Sequence, residues 1–303
     1  MNITLATRRP WNWKVFLALV VLVIPAGFVQ MLVTGMSLSG AKFLVMGQGL
    51  ITRMLLPAAI GLLLANRIGL GIPFVESWAR QESVSRRFRY VAAVTMIAGI
   101  LVALMYQIVE YGVFRAPMNS QFEEAGIPPV EDFFYSPGMG FLASFEASIL
   151  EEVFFRLFGL TLLAWVGSLL FHEIDGRPRL AVLWTANLVV NLVFAAGHLA
   201  TASAWGWPLT PLVITRVMLF NMISGMTFGW LYFSLGLESA MLGHFLTDFV
   251  FYTMLRLPSL PVSNMGWVLA TAGVGLVILL ALAWGWRTFQ RESRFVTGGE
   301  LIE

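Results

Sequence analysis

The chain has 303 residues, of which 58% are hydrophobic and only 12% charged, and its mean hydropathy is +0.79. No soluble fold of this length needs so apolar a composition, and the net charge of +2 comes with no long basic tract of the kind nucleic acid attracts. With no cysteine, disulfides, thiolate-ligated zinc and thiol nucleophiles are excluded together.

Apolar runs long enough to cross a hydrocarbon core of about 20 residues fall at 13–36, 43–66, 90–113, 139–170, 180–200, 210–235, 239–256 and 265–286. Backbone groups in lipid must be satisfied internally, and the runs are continuous rather than alternating, so the spans are helices and not barrel strands. The fold class expected is all-α: one polytopic integral membrane bundle of about eight helices, a single domain over 1–303. The first run follows a basic segment but has no convincing cleavage site, so it reads as a retained anchor.

Loop charge orients the eight spans. Arg8, Arg9 and Lys14 precede the first, Arg67, Arg80, Arg86, Arg87 and Arg89 follow the second, Arg177 and Arg179 follow the fourth, and Arg287, Arg291 and Arg294 close the chain. All four groups share a side, so both termini are expected to be cytoplasmic, in the plasma membrane of a prokaryote. The loop 114–137 is acidic instead, with Glu123, Glu124, Glu131 and Asp132.

Ionisable groups at bilayer depth are costly and mark function or interhelical pairing. In SILEEVFFRLF, Glu152 and Arg156 are one helical turn apart, whereas Glu151 is rotated by about 100° from Glu152. Glu152 is thus the partner of Arg156, and Glu151 is left to act as a general base. The bland alternative makes both carboxylates interhelical glue, paired with Arg156 and with Arg53 or Arg216.

The next run, ANLVVNLVFAAGHLA, places Asn187, Asn191, Phe194 and His198 on one helix face, with Asn191 supporting the charged residues. In AMLGHFLTDFVF, His244 and Asp248 are again one turn apart and could bind a metal, fix a tautomer or face an oxyanion. Gly225 and Gly229 form a small-xxx-small spacing that reads as helix packing. Simple span numbering puts Glu151 at mid-membrane, His198 near the outer end of its span and His244 near the inner end of its own. A shared site therefore requires a bent or broken helix, with Gly138 to Gly140 and Gly225 the candidate points.

Taken in order, EEVFFR at 151–156, FAAGH at 194–198 and HFLTD at 244–248 resemble the EExxxR, FxxxH and HxxxD/N motifs of the CAAX prenyl endopeptidase and bacteriocin-processing (CPBP, or Abi) intramembrane protease family. The resemblance covers about residues 139–255. It implies an intramembrane endopeptidase in which Glu151, assisted by His198, activates water while His244 and Asp248 stabilise the oxyanion and Glu152 and Arg156 support them. Where eukaryotic members have Asn, this chain has Asp248, and an ionised Asp cannot donate to an oxyanion. Asp248 is therefore expected to orient His244 or to be protonated itself.

No cofactor is expected. A zinc ion held by His198, His244 and Glu151 is the alternative, but the HExxH helix of common zinc proteases is missing. The implied partners are the bilayer and a peptide or lipidated-protein substrate, prenylated CAAX termini or membrane-associated peptides among them. An ion- or proton-coupled transporter is a rival reading of the same buried charges, and a non-catalytic immunity protein is another.

Overall fold

A computed structural model of the protein describes residues 11–35, 40, 45, 48, 49, 51–82, 85–133, 135–255 and 287. The eighth expected span, 265–286, and the basic residues Arg8, Arg9, Arg291 and Arg294 lie outside the described residues. Helix accounts for all the regular structure described apart from one isolated bridge between His172 and Pro178.

Helix α1 (Trp13–Val33) starts where the Asn12 side chain accepts the Lys14 N–H, an N-cap that satisfies an otherwise orphaned donor. A π-helical turn, Ile51–Leu55, leads into α2 (Leu56–Ile68), which stops at Gly69 in the left-handed region, φ 78°. Pro73 then opens the short α3 (Pro73–Ala79). The α2–α3 pair is bent by 87°, the geometry of a broken span or a re-entrant loop.

Helix α4 (Ser85–Val109) runs through a π-helical stretch, Glu110–Phe114, into α5 (Arg115–Glu124). After a 3-10 turn at Val130–Phe133, α6 (Pro137–Glu151) passes into a nine-residue π-helical segment, Glu152–Leu160, and then α7 (Thr161–Ser168). The last three helices are α8 (Leu180–Ala204), α9 (Pro211–Leu235) and α10 (Leu237–Leu255).

Among the described residues, four helices are long and apolar enough to cross a membrane: Trp13–Val33, Arg87–Glu124, Leu180–Ala204 and Pro211–Leu235. The α6–α7 stretch and α10, where spans were expected at 139–170 and 239–256, are not among these four, and both carry the charged residues that set them apart from an ordinary span. Val21, Ile108 and Val193, each more than 60% exposed, turn outward as lipid-facing side chains do. The molecule is an all-α membrane bundle.

The two ends of the bundle differ in charge. At one end the Leu237 N–H bonds the Gly71 carbonyl, and Glu238 accepts the N–H groups of Phe74 and Val75 at 2.8 and 3.0 Å. Here α3 covers the one-residue joint between α9 and α10, and Arg177 lies against Gly69. The basic loops thus share this end. At the other end Thr210 donates to Gln121, and Trp207 meets Phe122 edge-on, joining the 205–210 loop to the acidic 114–137 segment.

Lipid tails are as apolar as leucine, so helices in a membrane associate through close packing and polar contacts rather than hydrophobic burial. Small residues make that approach here. A Cβ at Gly225 would fall on the Asn191 side chain, one at Gly229 on that of Asn187, and one at Gly99 on the Gly243 backbone. The first pair joins α8 to α9 as the small-xxx-small spacing predicts. Buried apolar residues form two clusters, one containing Val153, Leu157 and Phe228 and the other Tyr106, Trp207 and Phe220. The polar site lies against both.

Candidate active site

Glu151 is the last α-helical residue of α6 and Glu152 the first of the π-helical segment. Their side chains part as the 100° rotation requires: that of Glu152 is fully buried, while that of Glu151 is 30% exposed. π-helical insertions are rare and frequently occur at functional sites. This one replaces the bend expected near Gly138 to Gly140 or Gly225. Gly140 stays within α6, packed on Tyr252, and α9 runs unbroken through Gly225.

Glu152 organises the buried side. Its Oε1 lies 3.0 Å from an Arg156 terminal nitrogen and 2.8 Å from His244 Nδ1. Arg156, also fully buried, donates to Asn191 Oδ1 at 3.0 Å and to the Gly225 carbonyl at 3.1 Å, and its guanidinium lies over the rings of Phe194 and Phe228. Asn191 in turn donates to Asn187, which donates to the Met226 carbonyl. The asparagine stripe read from the α8 sequence is therefore the cradle of Arg156. Arg216, an alternative partner for the acidic pair, bonds Glu110 at 2.7 Å instead.

His244 is 3% exposed and stacks on Phe228 at 4.5 Å. Its Nε2 faces Asp248 at 3.2 Å and Glu151 at 3.8 Å. Both ring nitrogens thus face carboxylates, which accept but do not donate when ionised. Asp248 sits where it can orient His244, one of the two arrangements expected for it.

His198 stands across the cavity. Its Nδ1–H donates to the Phe194 carbonyl at 2.9 Å; since a carbonyl only accepts, the neutral ring keeps its Nε2 lone pair. The Phe194 ring meets His198 at 4.6 Å and His244 at 6.4 Å, separating the two histidines. Of the residues singled out in the sequence, Glu151, Glu152 and Asp248 all approach His244, and His198 shares the cavity with them.

That cavity, of about 140 Å³, is lined by Glu151, His198, His244 and Asp248 together, and it has room for several waters. The depth mismatch expected from span numbering does not separate them. Helix α10 begins directly beneath α3, with no loop after α9, and His244 faces Phe228, seven residues before the end of α9.

The wall also includes Tyr106, Trp207, Arg216 and Ser224, which the sequence reading did not place at the site. Tyr106 OH accepts the Ser224 N–H and donates to the Phe220 carbonyl. The rule that drew attention to Glu151, an ionisable group within a span, applied equally to Glu110 and would have singled it out, though not its pairing with Arg216.

A zinc ion would call on His198, His244 and Glu151. Among the described residues, however, no group of three or more His, Asp or Glu side chains is disposed to hold a metal ion.

Comparison with known proteins returns a match at the level of a family. The family model for type II CAAX prenyl endopeptidase Rce1-like proteins matches residues 133–250, from the 3-10 turn before α6 to near the end of α10, and so includes Glu151, Glu152, Arg156, Asn191, His198, His244 and Asp248. No curated protein and no solved structure matches the chain. The matched segment holds the EEVFFR, FAAGH and HFLTD motifs, so over these residues this integral membrane protein is similar to the Rce1-like CAAX prenyl endopeptidases.

Proposed function

We propose that the protein is an intramembrane endopeptidase that hydrolyses a peptide bond with a water activated by Glu151. The observation that carries this reading is the contrast within the acidic pair. Glu152 is sealed between Arg156 and His244, while Glu151 opens on a cavity shared with His198, His244 and Asp248. A base must reach its water, and only one of the two carboxylates can.

In this mechanism a water between Glu151 and His198 gives its proton to the Glu151 carboxylate, while His198 Nε2 accepts a hydrogen bond from its other O–H and orients it. The new O–C bond forms at the peptide carbonyl, and the negative charge passes to the carbonyl oxygen. His244, itself buried and positioned by Glu152 and Asp248, stabilises that charge. The C–N bond then breaks, and the proton held by Glu151 passes to the leaving amine. No covalent intermediate and no bound ion is called on.

The family points to prenylated CAAX-type C-termini as substrates. Both chain termini and the basic loops are assigned to the cytoplasmic side of a prokaryotic plasma membrane, by the excess of Lys and Arg there. The test is cleavage of a farnesylated CAAX peptide by the purified protein in detergent, with and without a chelator, against Glu151→Gln and His198→Ala. Loss in both variants and indifference to chelator are expected. Full activity in Glu151→Gln would refute the mechanism, loss with chelator would restore a metal, and proton flux in liposomes without cleavage would favour a transporter.

A further inference from the structure

The cavity that joins Glu151 to His244 occupies one half of the bundle. Helices α8 and α10 run from the basic end to the acidic end, and α9 runs back between them. Among the described residues, the cavity wall takes nothing from α8 before Phe194, from α9 after Ser224 or from α10 before His244. Tyr106 fits the same pattern, because it lies near the end of α4, where that helix approaches the acidic 114–137 segment. Glu151 and His244 are therefore the floor, and the rest of the wall rises from them toward the acidic end.

The basic side of the floor is packed shut. Leu231, Leu237 and Ala240, which lie between His244 and α3, are fully buried in one apolar cluster. A Cβ at Gly243 would fall on Leu231, and one at Gly236 on Pro73 of α3. Glu238 then ties the start of α3 to the start of α10 through the Phe74 and Val75 N–H groups. The acidic side differs: Thr201, in the last turn of α8, lines the cavity and is exposed, and Trp205 beyond it is only half-buried. Trp205 and Trp207, with rings 5.6 Å apart, stand in a 205–210 loop that has no charged residue. Tryptophans favour the membrane–water interface, so a peptide lying along that interface meets two indoles where the cavity reaches the surface.

We propose that the active site is entered from the acidic end, past Thr201 and Trp205, and that its substrates are membrane-held peptides exposed at the outer face of the membrane. The inference rests on the protease reading for its chemistry and on loop charge for its orientation, whereas the position of the entrance depends on neither. A lipidated C-terminus made and kept in the cytoplasm would meet the closed α3 end. The substrate class thus narrows to exported or outward-facing peptides anchored in the bilayer.

The unaltered chain has no cysteine, so one introduced thiol reports its own side of the membrane. Thr201→Cys marks the entrance, and Glu173→Cys, exposed in the loop that carries Arg177 and Arg179, marks the opposite end. A membrane-impermeant maleimide should label Thr201→Cys in intact spheroplasts but not in sealed inverted vesicles, and Glu173→Cys the other way round. Labelling of Thr201→Cys from the side that labels Glu173→Cys, or only after detergent, would overturn the entrance. Exchange of the two sides would overturn the substrate class. A second arm displays the same single-span reporter, with an apolar segment next to its anchor, on either face of the membrane. Cleavage of the outward display, lost in Glu151→Gln, is the expected result. Cleavage of the inward display alone, also lost in Glu151→Gln, would remove the substrate class and leave the protease reading standing. Cleavage of neither, with Thr201→Cys labelled from outside, would remove the protease reading and leave the entrance in place.

Discussion

Glu152 serves Arg156 and His244 with the same carboxylate oxygen, at 3.0 and 2.8 Å, and none of its side chain is exposed. This links the charge balance of the buried arginine to the position of the histidine. Breaking a buried pair by removing one partner costs roughly 3–5 kcal/mol, because the other charge is left uncompensated. Glu152→Gln should therefore lower the thermal unfolding midpoint markedly and lose activity with it. Glu151→Gln should leave the midpoint close to that of the parent while cutting turnover by about 10²–10⁴, the usual worth of a general base. Equal thermal shifts in the two variants would defeat this division of labour.

Asp248 lies 3.2 Å from His244 Nε2 and is partly exposed to the cavity. If its task is to accept from His244, an amide oxygen can replace it, since Asn retains an acceptor at the same position. Asp248→Asn should keep turnover within about tenfold of the parent, a loss no larger than one hydrogen bond accounts for. Asp248→Leu should lose substantially more. Inactivity of both variants under conditions where both remain folded would mean that the carboxylate charge itself is required.

Much of this site could be read from local spacing. Glu152 with Arg156, Asn187 with Asn191, and His244 with Asp248 are each one helical turn apart, and each pair is in contact in the structure. Contacts that depend on tertiary packing were not legible. The Glu110–Arg216 pair is separated by 106 positions, and nothing in the residue types of EVFFRLFGL distinguishes a π-helical segment from the α-helix on either side. Span numbering misjudged depth for a related reason. It gives every helix its own loop and full crossing, whereas α10 follows α9 after Gly236 alone, covered by α3.

The approach of α8 to α9 depends on two glycines. An alanine at Gly225 would place its Cβ on Asn191, within 3.2 Å of Arg156 as well. Overpacking of this kind costs about 1–3 kcal/mol, and here it would also disturb the arginine cradle. Gly225→Ala should reduce both stability and turnover. Gly197→Ala is the matched control: its Cβ would meet nothing within 4 Å, and removing a helix-interior glycine is favourable. A harmless Gly225→Ala would mean that the helices are farther apart than described.

At the acidic end, Glu131 joins the turn before α6 to α5 by accepting from Arg115 at 2.8 Å and from Asn119 at 3.1 Å, while the Asn119 Oδ1 accepts the Val130 N–H. Partial burial alone would raise the pKa of Glu131, but hydrogen bonds from Asn119, the backbone and Arg115 outweigh it and hold the carboxyl below its ordinary value. A depressed folded-state pKa means stability that is fully present above the unfolded value, about 4.3, and is lost as pH falls through the folded value. Hydrogen exchange at Ile127–Phe133 should therefore be slow at neutral pH and accelerate on acidification below the usual carboxylate range. In Glu131→Gln it should already be fast at neutral pH and respond little to acid, because the titrating group has gone. Identical pH profiles for this segment in the two proteins would show that the clamp contributes nothing to holding the turn from which α6 carries Glu151 into the membrane.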